Sequence, residues 1–262
     1  MKILVTNDDG VYADGLWQLV KELRDVGTVT VVAPDRDQSG VGTSVTLGQP
    51  LRLSEIRALV KEVRAYSVEG TPADSVILAL RLAMKDGIDL IVSGINEGPN
   101  LGNDVFISGT VGAALQGYFY GIPAIAFSVA AFGSLHFAVA ARLARLLAGE
   151  LVDKGLSQKL LLNVNLPNLP REEIEGIEIT KLGEREYVDK IEPGHDGKRQ
   201  YYWIMRGEPD WNMIPGTDVW ALKQNRISIT PLPNNTDNAA NHHFLGSLVP
   251  DLSRKLLEGT NF

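Results

Sequence analysis

Two adjacent aspartates follow the first apolar run of the chain and have the chemistry of metal ligands. Ile3-Leu4-Val5 is typical of a buried strand, and Asp8 and Asp9 come just after it. Neighbouring carboxylates repel each other unless a cation lies beside them. The hydroxyl of Ser39 and the amide of Asn96 would complete an all-oxygen ligand set, which suits Mg²⁺, Mn²⁺ or Ca²⁺. The same Asn-Asp-Asp-Gly stretch also fits an ordinary turn, and the residues alone leave both interpretations open.

These side chains belong to three polar segments that each follow a predicted strand. In an open α/β sheet, ligands bind outside the carboxyl ends of the strands, so the three segments are expected to meet there. They carry no histidine, which disfavours a Ser-His-Asp arrangement. The segments are residues 7–10, 34–40 and 93–104.

A run of small residues at 108–114 leads into a predicted helix. Exposed backbone N–H groups and the helix dipole at such a point favour phosphate, and hydroxyl groups add donors. Ser108, Gly109 and Thr110 are therefore candidate substrate-binding residues. An ordinary N-cap, with Ser108 or Thr110 capping the helix, explains the same residues. The two interpretations are compatible.

Composition excludes several classes of function. The chain has 262 residues, a net charge of −7 and no cysteine. The absence of cysteine excludes disulfides, thiolate nucleophiles and Cys-based metal centres. The acidic balance disfavours binding to nucleic-acid polymers and anionic membranes. No apolar stretch approaches the ~20 residues of a membrane span, and no signal-peptide pattern opens the chain, so a cytoplasmic location is expected.

Alternating strand and helix patterns predict parallel βαβ units, with helices on both faces of a sheet. Leu16, Leu19, Val20 and Leu23 show the spacing of one helix face, and Ala124 to Ser128 is typical of a buried strand. After residue 165 the pattern changes to turns and aromatic segments. Ile177 to Thr180 and Tyr201 to Ile204 are predicted to form long hairpins that leave the sheet. Asp218 to Leu222 and Leu248 to Leu257 are predicted helices, and Pro231 to His243 a loop.

Taken together, these segments resemble the SurE survival-protein family of acid-type nucleotidases. The resemblance spans nearly the whole chain. The residues that carry it are Ile3 to Gly10, Ala33 to Arg36 with Ser39-Gly40, Gly70 to Asp74, Ser93 to Asn96 with Gly98, Asn100 and Gly102, Ser108 to Ala114, Thr217-Asp218, and Ser228 to Leu232.

The resemblance implies one α/β domain spanning residues 1–262, a three-layer αβα sandwich with a Rossmann-like, mostly parallel sheet, protruding β-hairpins and a C-terminal extension. The core would span about residues 1–165, and the hairpin and oligomerisation region about 170–262. It implies hydrolysis of nucleoside 5'- and 3'-monophosphates, and of short polyphosphate. It also implies one divalent cation, Mg²⁺ or Mn²⁺, held by Asp8, Asp9, Ser39 and Asn96, and assembly into homodimers or homotetramers.

Three mechanistic interpretations follow from the residues. In metal-assisted hydrolysis, Asp8 or Asp9 would accept a proton from water, while Asn96 and the Ser108–Thr110 loop would stabilise charge on the phosphoryl oxygens. A haloacid-dehalogenase-type enzyme would need an acid two residues after the nucleophile, but Gly10 occupies that place after Asp8. A non-catalytic nucleotide- or metal-binding sensor would keep the oxygen ligands and show no turnover.

Overall fold

The computed structural model describes residues 1–130, 135–153, 160–186, 189–206, 210–232 and 238–258. Its strands are β1 (Lys2–Thr6), β2 (Thr28–Pro34), β3 (Leu53–Ile56), β4 (Arg64–Val68), β5 (Leu90–Glu97), β6 (Ala124–Ala130), β7 (Leu161–Pro167), β8 (Gly176–Ile179), β9 (Arg185–Glu186), β10 (Asp189–His195), β11 (Gln200–Arg206), β12 (Asp210–Trp211) and β13 (Arg226–Leu232). Its α-helices are α1 (Asp14–Leu23), α2 (Pro72–Leu78), α3 (Gly109–Phe119), α4 (Phe137–Asp153), α5 (Asp218–Lys223) and α6 (Asn238–Ser253).

A nine-stranded sheet forms the centre of the fold, in the order β3-β4-β2-β1-β5-β6-β7-β13-β8. The strands from β4 to β7 are parallel, and β13 runs antiparallel to β7, as β3 does to β4. In register, Ile3 lies opposite Val29 on β2 and opposite Leu90 on β5. The parallel arrangement brings the carboxyl ends of β1, β2 and β5 to one edge, where the three polar segments lie. The third segment starts inside β5, which extends to Glu97.

Helices cover both faces of the sheet. Because side chains alternate along a strand, Ile3 and Val5 face the helices α1, α4 and α6, whereas Leu4 faces α2 and α3. The apolar face predicted for the first helix is the buried face of α1. The α/β sandwich with a mostly parallel sheet is therefore confirmed.

The region after residue 165 contributes to the sheet as well as to hairpins. The predicted hairpin at Tyr201 to Ile204 is confirmed, since β11 pairs with β10 in a separate two-stranded sheet. The prediction for Ile177 to Thr180 was wrong, because β8 pairs in parallel with β13 at the edge of the main sheet. Both segments are short, one alternating and the other aromatic, and neither pattern distinguishes an edge strand from a hairpin arm.

The C-terminal part packs against the core. Leu245, Leu248 and Leu252 of α6 are fully buried with the residues of α4. The loop predicted at Pro231 to His243 was wrong in its described parts, since β13 extends to Leu232 and α6 begins at Asn238. Residues 233–237 lie outside the described residues. No helix in the described ranges is both long enough and apolar enough to cross a membrane.

Candidate active site

The carboxylate of Asp8 lies at the N-terminus of α3. Asp8 is buried just beyond β1, with 3% of its surface exposed. The Thr110 hydroxyl donates to Asp8 Oδ1, and the Thr110 backbone N–H also bonds this carboxylate. The Asp8 carbonyl accepts the Gln38 N–H at 2.8 Å, which joins the first polar segment to the second. Three separate parts of the chain therefore fix the position of Asp8.

Asn96 brings the third polar segment to the same point. Its Nδ2 donates to the carbonyls of Gly98 at 2.8 Å and Glu97 at 3.3 Å. These bonds turn Oδ1 towards Thr110, whose Oγ1 lies 3.2 Å away. The single hydroxyl hydrogen of Thr110 is donated to Asp8. The lone pairs of Asn96 Oδ1 are therefore left to bind a cation.

Asp9 lies beside Asp8 and is partly exposed. Its Oδ2 accepts the Glu97 N–H at 3.4 Å. Burial, followed by the charge of Asp8, raises the pKa of Asp9 to about 7, with Glu97 and Asp37 adding to the effect. Burial is also the main cause of a raised pKa at Asp8, to which Asp37 contributes. Every charged side chain that shifts these two pKa values is a carboxylate.

This arrangement fits a divalent cation. Two partly or fully buried carboxylates face like charges, and a cation would offset that repulsion directly. Asp8, Asp9 and Asn96 supply oxygen ligands of the kind that Mg²⁺ and Mn²⁺ take. Within the described residues no group of three or more His, Asp or Glu side chains forms a metal site. An ion bound here would therefore need amide or hydroxyl oxygens to complete its ligand set.

The fourth predicted ligand, Ser39, has other contacts. Its hydroxyl and its N–H both donate to Asp37 Oδ1, at 2.6 Å and 2.7 Å, and its side chain is exposed. Its neighbour Gln38 bonds the carbonyl of Asp8, so Ser39 lies one residue from the site. Its role as a ligand stays a prediction.

The start of α3 combines capping with close packing. Ser108 Oγ accepts the Val111 N–H at 3.1 Å, which confirms the N-cap interpretation for Ser108. A Cβ on Gly109 would lie 2.8 Å from Asp8 Cβ and 2.9 Å from Asp8 Oδ2, so only glycine fits there. The Thr110 N–H bonds Asp8 and the Val111 N–H bonds Ser108, so neither of these two donors is available to a phosphate. Phosphate binding by the three residues stays a prediction.

The segment Gly70 to Asp74 supports the site without entering it. Thr71 and Asp74 form a capping box at the start of α2. Asp74 is buried and also accepts the Thr46 N–H at 2.9 Å and the Thr46 hydroxyl at 2.7 Å. These bonds hold the loop that follows Ser39 against α2.

Sequence reasoning missed a buried amide cluster under the third segment. The Asn100 N–H donates to Asn165 Oδ1 at 2.8 Å, and the Asn100 carbonyl accepts from Asn163 at 2.8 Å and from Asn165 at 3.0 Å. Asn100 Nδ2 donates to Ser128 Oγ at 2.9 Å. The signal in the sequence was two asparagines inside the otherwise apolar strand β7.

The fold and the site together define a class of protein. It is a Rossmann-like αβα sandwich with a carboxylate pair at the carboxyl edge of its parallel sheet. Residues 3–189 match the family model described as Survival protein SurE. The 5'-nucleotidase SurE of Geobacter sulfurreducens is 48% identical over 94% of this chain and 93% of its own. That of Dehalococcoides mccartyi strain CBDB1 is 45% identical over 88% of both chains. The crystal structure of Sure Protein from Aquifex aeolicus covers 95% of this chain and 99% of its own, with TM-score 0.75 and 38% identity. The chain therefore belongs to the SurE family.

Proposed function

We propose that this chain is a metal-dependent 5'-nucleotidase, which hydrolyses nucleoside monophosphates to nucleoside and phosphate. The similarity to relatives named 5'-nucleotidase SurE, at 45–48% identity over at least 88% of the chain, carries the proposal. The adjacent carboxylates at the sheet edge support it, because a cation bound there could neutralise phosphate charge and acidify a water molecule. Hydrolysis of 3'-monophosphates and of short polyphosphate belongs to the same proposal.

Asp8, Asp9 and Asn96, with Ser39, would hold one Mg²⁺ or Mn²⁺ ion. When bound, the ion would neutralise phosphate charge and acidify a water molecule. Asp8 is the buried member of the pair and is oriented by Thr110, so we assign it to binding.

Asp9 is the more exposed carboxylate and is assigned as the group that accepts the proton of the attacking water. The Gly109 N–H at the start of α3 would donate to a phosphoryl oxygen, aided by the helix dipole. The sequence-based expectation that Asn96 stabilises phosphoryl charge is not supported, because its Nδ2 already donates to Gly98 and Glu97. Its oxygen is left to bind the cation.

The aromatic hairpin supports a proposal of self-association. Tyr202, Trp203 and Ile204 on β11 are 60%, 61% and 73% exposed. Large exposed apolar patches of this kind mark interaction surfaces. We therefore propose a homodimer or homotetramer, acting in the cytoplasm on free nucleotides. Light scattering should give a mass of two or four chains, and replacement of Trp203 by Ser should lower it; a monomeric wild type would contradict this.

The test of function is phosphate release from nucleoside 5'- and 3'-monophosphates and tripolyphosphate, with Mg²⁺ or Mn²⁺ and with excess chelator. The proposal expects release from monophosphates that chelator abolishes, and loss of release in a folded Asp9→Asn variant. If folded wild type binds nucleotide but releases no phosphate with either ion, the binding-sensor interpretation replaces the enzyme.

A further inference from the structure

Asp218 is a buried carboxylate that the proposed reaction does not use. It is the first residue of α5 and is fully buried. Its Oδ2 accepts the Gly102 N–H at 2.8 Å, and its Oδ1 accepts the N–H groups of Gly183 at 2.7 Å and Val219 at 2.8 Å. A buried carboxylate is unfavourable unless its oxygens are bonded, and here backbone N–H groups from three residues bond it.

The Gly102 contact matters because of where Gly102 lies. The segment between Asn96 and Ser108 connects the amide of the candidate site to the N-terminus of α3. Gly102 has a φ of 51° and begins the short 3₁₀ helix Gly102–Phe106 in this segment. Two residues earlier, the N–H of Asn100 bonds the side chain of Asn165. The segment is thus held at two neighbouring points by side chains that are distant in sequence.

The two ends of the segment are linked to Asp8 through Thr110, which lies two residues beyond Ser108. Thr110 bonds Asp8 and lies 3.2 Å from the Asn96 oxygen, so a shift of the segment changes the spacing of these three side chains. A misplacement of about 1 Å at a reacting group can cost about 100-fold in rate.

We propose that Asp218 is a positioning residue for the reaction, which holds Gly102 so that Asn96 and the start of α3 keep their spacing to Asp8. This inference rests on the proposed nucleotidase function. Asp218 does not touch the substrate; it acts through the segment that follows β5. Through Gly183 the same carboxylate also holds the chain that leads to the hairpin.

The test is the variant Asp218→Asn. The remaining Oδ1 can still accept from Gly183 and Val219, but the new NH₂ group faces the Gly102 N–H, donor against donor. We expect a folded protein whose kcat is lower by about 10- to 100-fold, as for other residues that orient ligands, while KM changes by less than about threefold.

Leu256→Ala is the control for lost stability. Leu256 is fully buried in the core on the opposite side of the sheet from α3. This variant should lower the melting temperature at least as much as Asp218→Asn and keep the wild-type kcat. If it also loses kcat about 10-fold, lowered stability explains the effect and the positioning role is overturned.

A second variant keeps the proposal testable if Asp218→Asn does not fold. A Cβ on Gly183 would lie 3.0 Å from Asp218 Oδ1 and 2.8 Å from Val219 Cγ2, so Gly183→Ala displaces the carboxylate and keeps its charge. The expected result is a smaller loss of kcat at unchanged KM. Wild-type kcat in Asp218→Asn, or in Gly183→Ala where the first variant is unfolded, overturns the positioning role alone. An inactive wild type overturns the proposed function and this role with it.

Discussion

Asp9 is expected to destabilise the metal-free protein at neutral pH, and Asp9→Asn should remove that effect. Burial and the charge of Asp8 raise the pKa of Asp9 from 3.8 to about 7 in the folded chain. The folded protein therefore holds this proton more tightly than the unfolded chain does. Below about pH 4 both states are protonated and the folded state keeps its full stability. As the pH rises from about 4 to about 7, the unfolding free energy falls, and above pH 7 the loss is complete.

The size of the effect follows from the pKa shift. The pKa of Asp9 rises from 3.8 to about 7, a shift of about three units. Each unit corresponds to about 1.4 kcal/mol of unfolding free energy. The upper limit is about 4 kcal/mol. Because Asp9 is partly exposed, screening by water reduces this to about 2–3 kcal/mol.

Urea unfolding with excess chelator at pH 5 and pH 8 measures this directly. At pH 8 the unfolding free energy of Asp9→Asn should exceed that of wild type by about 2–3 kcal/mol, and at pH 5 the difference should be smaller by about half. Addition of Mn²⁺ should stabilise wild type and have less effect on the variant. A variant that is no more stable than chelated wild type at pH 8 would contradict the destabilising effect assigned to the Asp9 carboxylate.

Three further predictions concern the site and the core. Thr110→Val removes the hydroxyl that orients the buried Asp8 carboxylate, so kcat measured by phosphate release should fall about 10- to 100-fold. The unfolding free energy should fall by about 1–3 kcal/mol, because Asp8 loses a hydrogen-bond donor. Gly109→Ala places a Cβ 2.8 Å from Asp8 Cβ, so cation affinity measured by calorimetry should fall at least about 10-fold. Gly149→Ala is the matched control, because its new Cβ meets nothing within 4 Å. This control should stabilise α4 by about 0.5–1 kcal/mol. Leu147→Ala, at a fully buried position, should cost about 2–5 kcal/mol in urea unfolding; a cost below about 1 kcal/mol would contradict the packing described.

The sequence was sufficient for elements with a clear period and a single buried face. The 3.6-residue spacing from Leu16 to Leu23 predicted α1, and the apolar run from Ala124 to Ser128 predicted β6 within two residues. The edge strand β8 was misassigned, because four residues of alternating polarity are equally typical of an edge strand and of a hairpin arm. Its partner β13 lies about 50 residues further along the chain, and pairing over that distance leaves no local signal.

The sequence likewise predicted some features of the candidate site and not others. Asp8 and Asp9 follow β1 and Asn96 lies near the carboxyl end of β5. The rule that ligands bind at the carboxyl ends of parallel strands therefore predicted that they would lie together. The effect of Asp37 on both pKa values depends on distance in space, and so does the clamp of Gly102 by Asp218. The hydroxyl of Thr110 was predicted to face phosphate, yet it bonds Asp8, since residue type does not fix the direction of a side chain.

The most direct test of the central claim is a Mn²⁺ titration of phosphate release from a nucleoside 5'-monophosphate, after chelator treatment, in wild type and in Asp8→Asn. Mn²⁺ is expected to restore phosphate release by wild type. The release should saturate over the Mn²⁺ concentrations at which calorimetry shows binding. The folded Asp8→Asn variant should neither bind the ion nor release phosphate. Release that is unaffected by chelator, or an Asp8→Asn variant with a near wild-type rate, would contradict a cation held by Asp8 and Asp9 as the basis of the reaction.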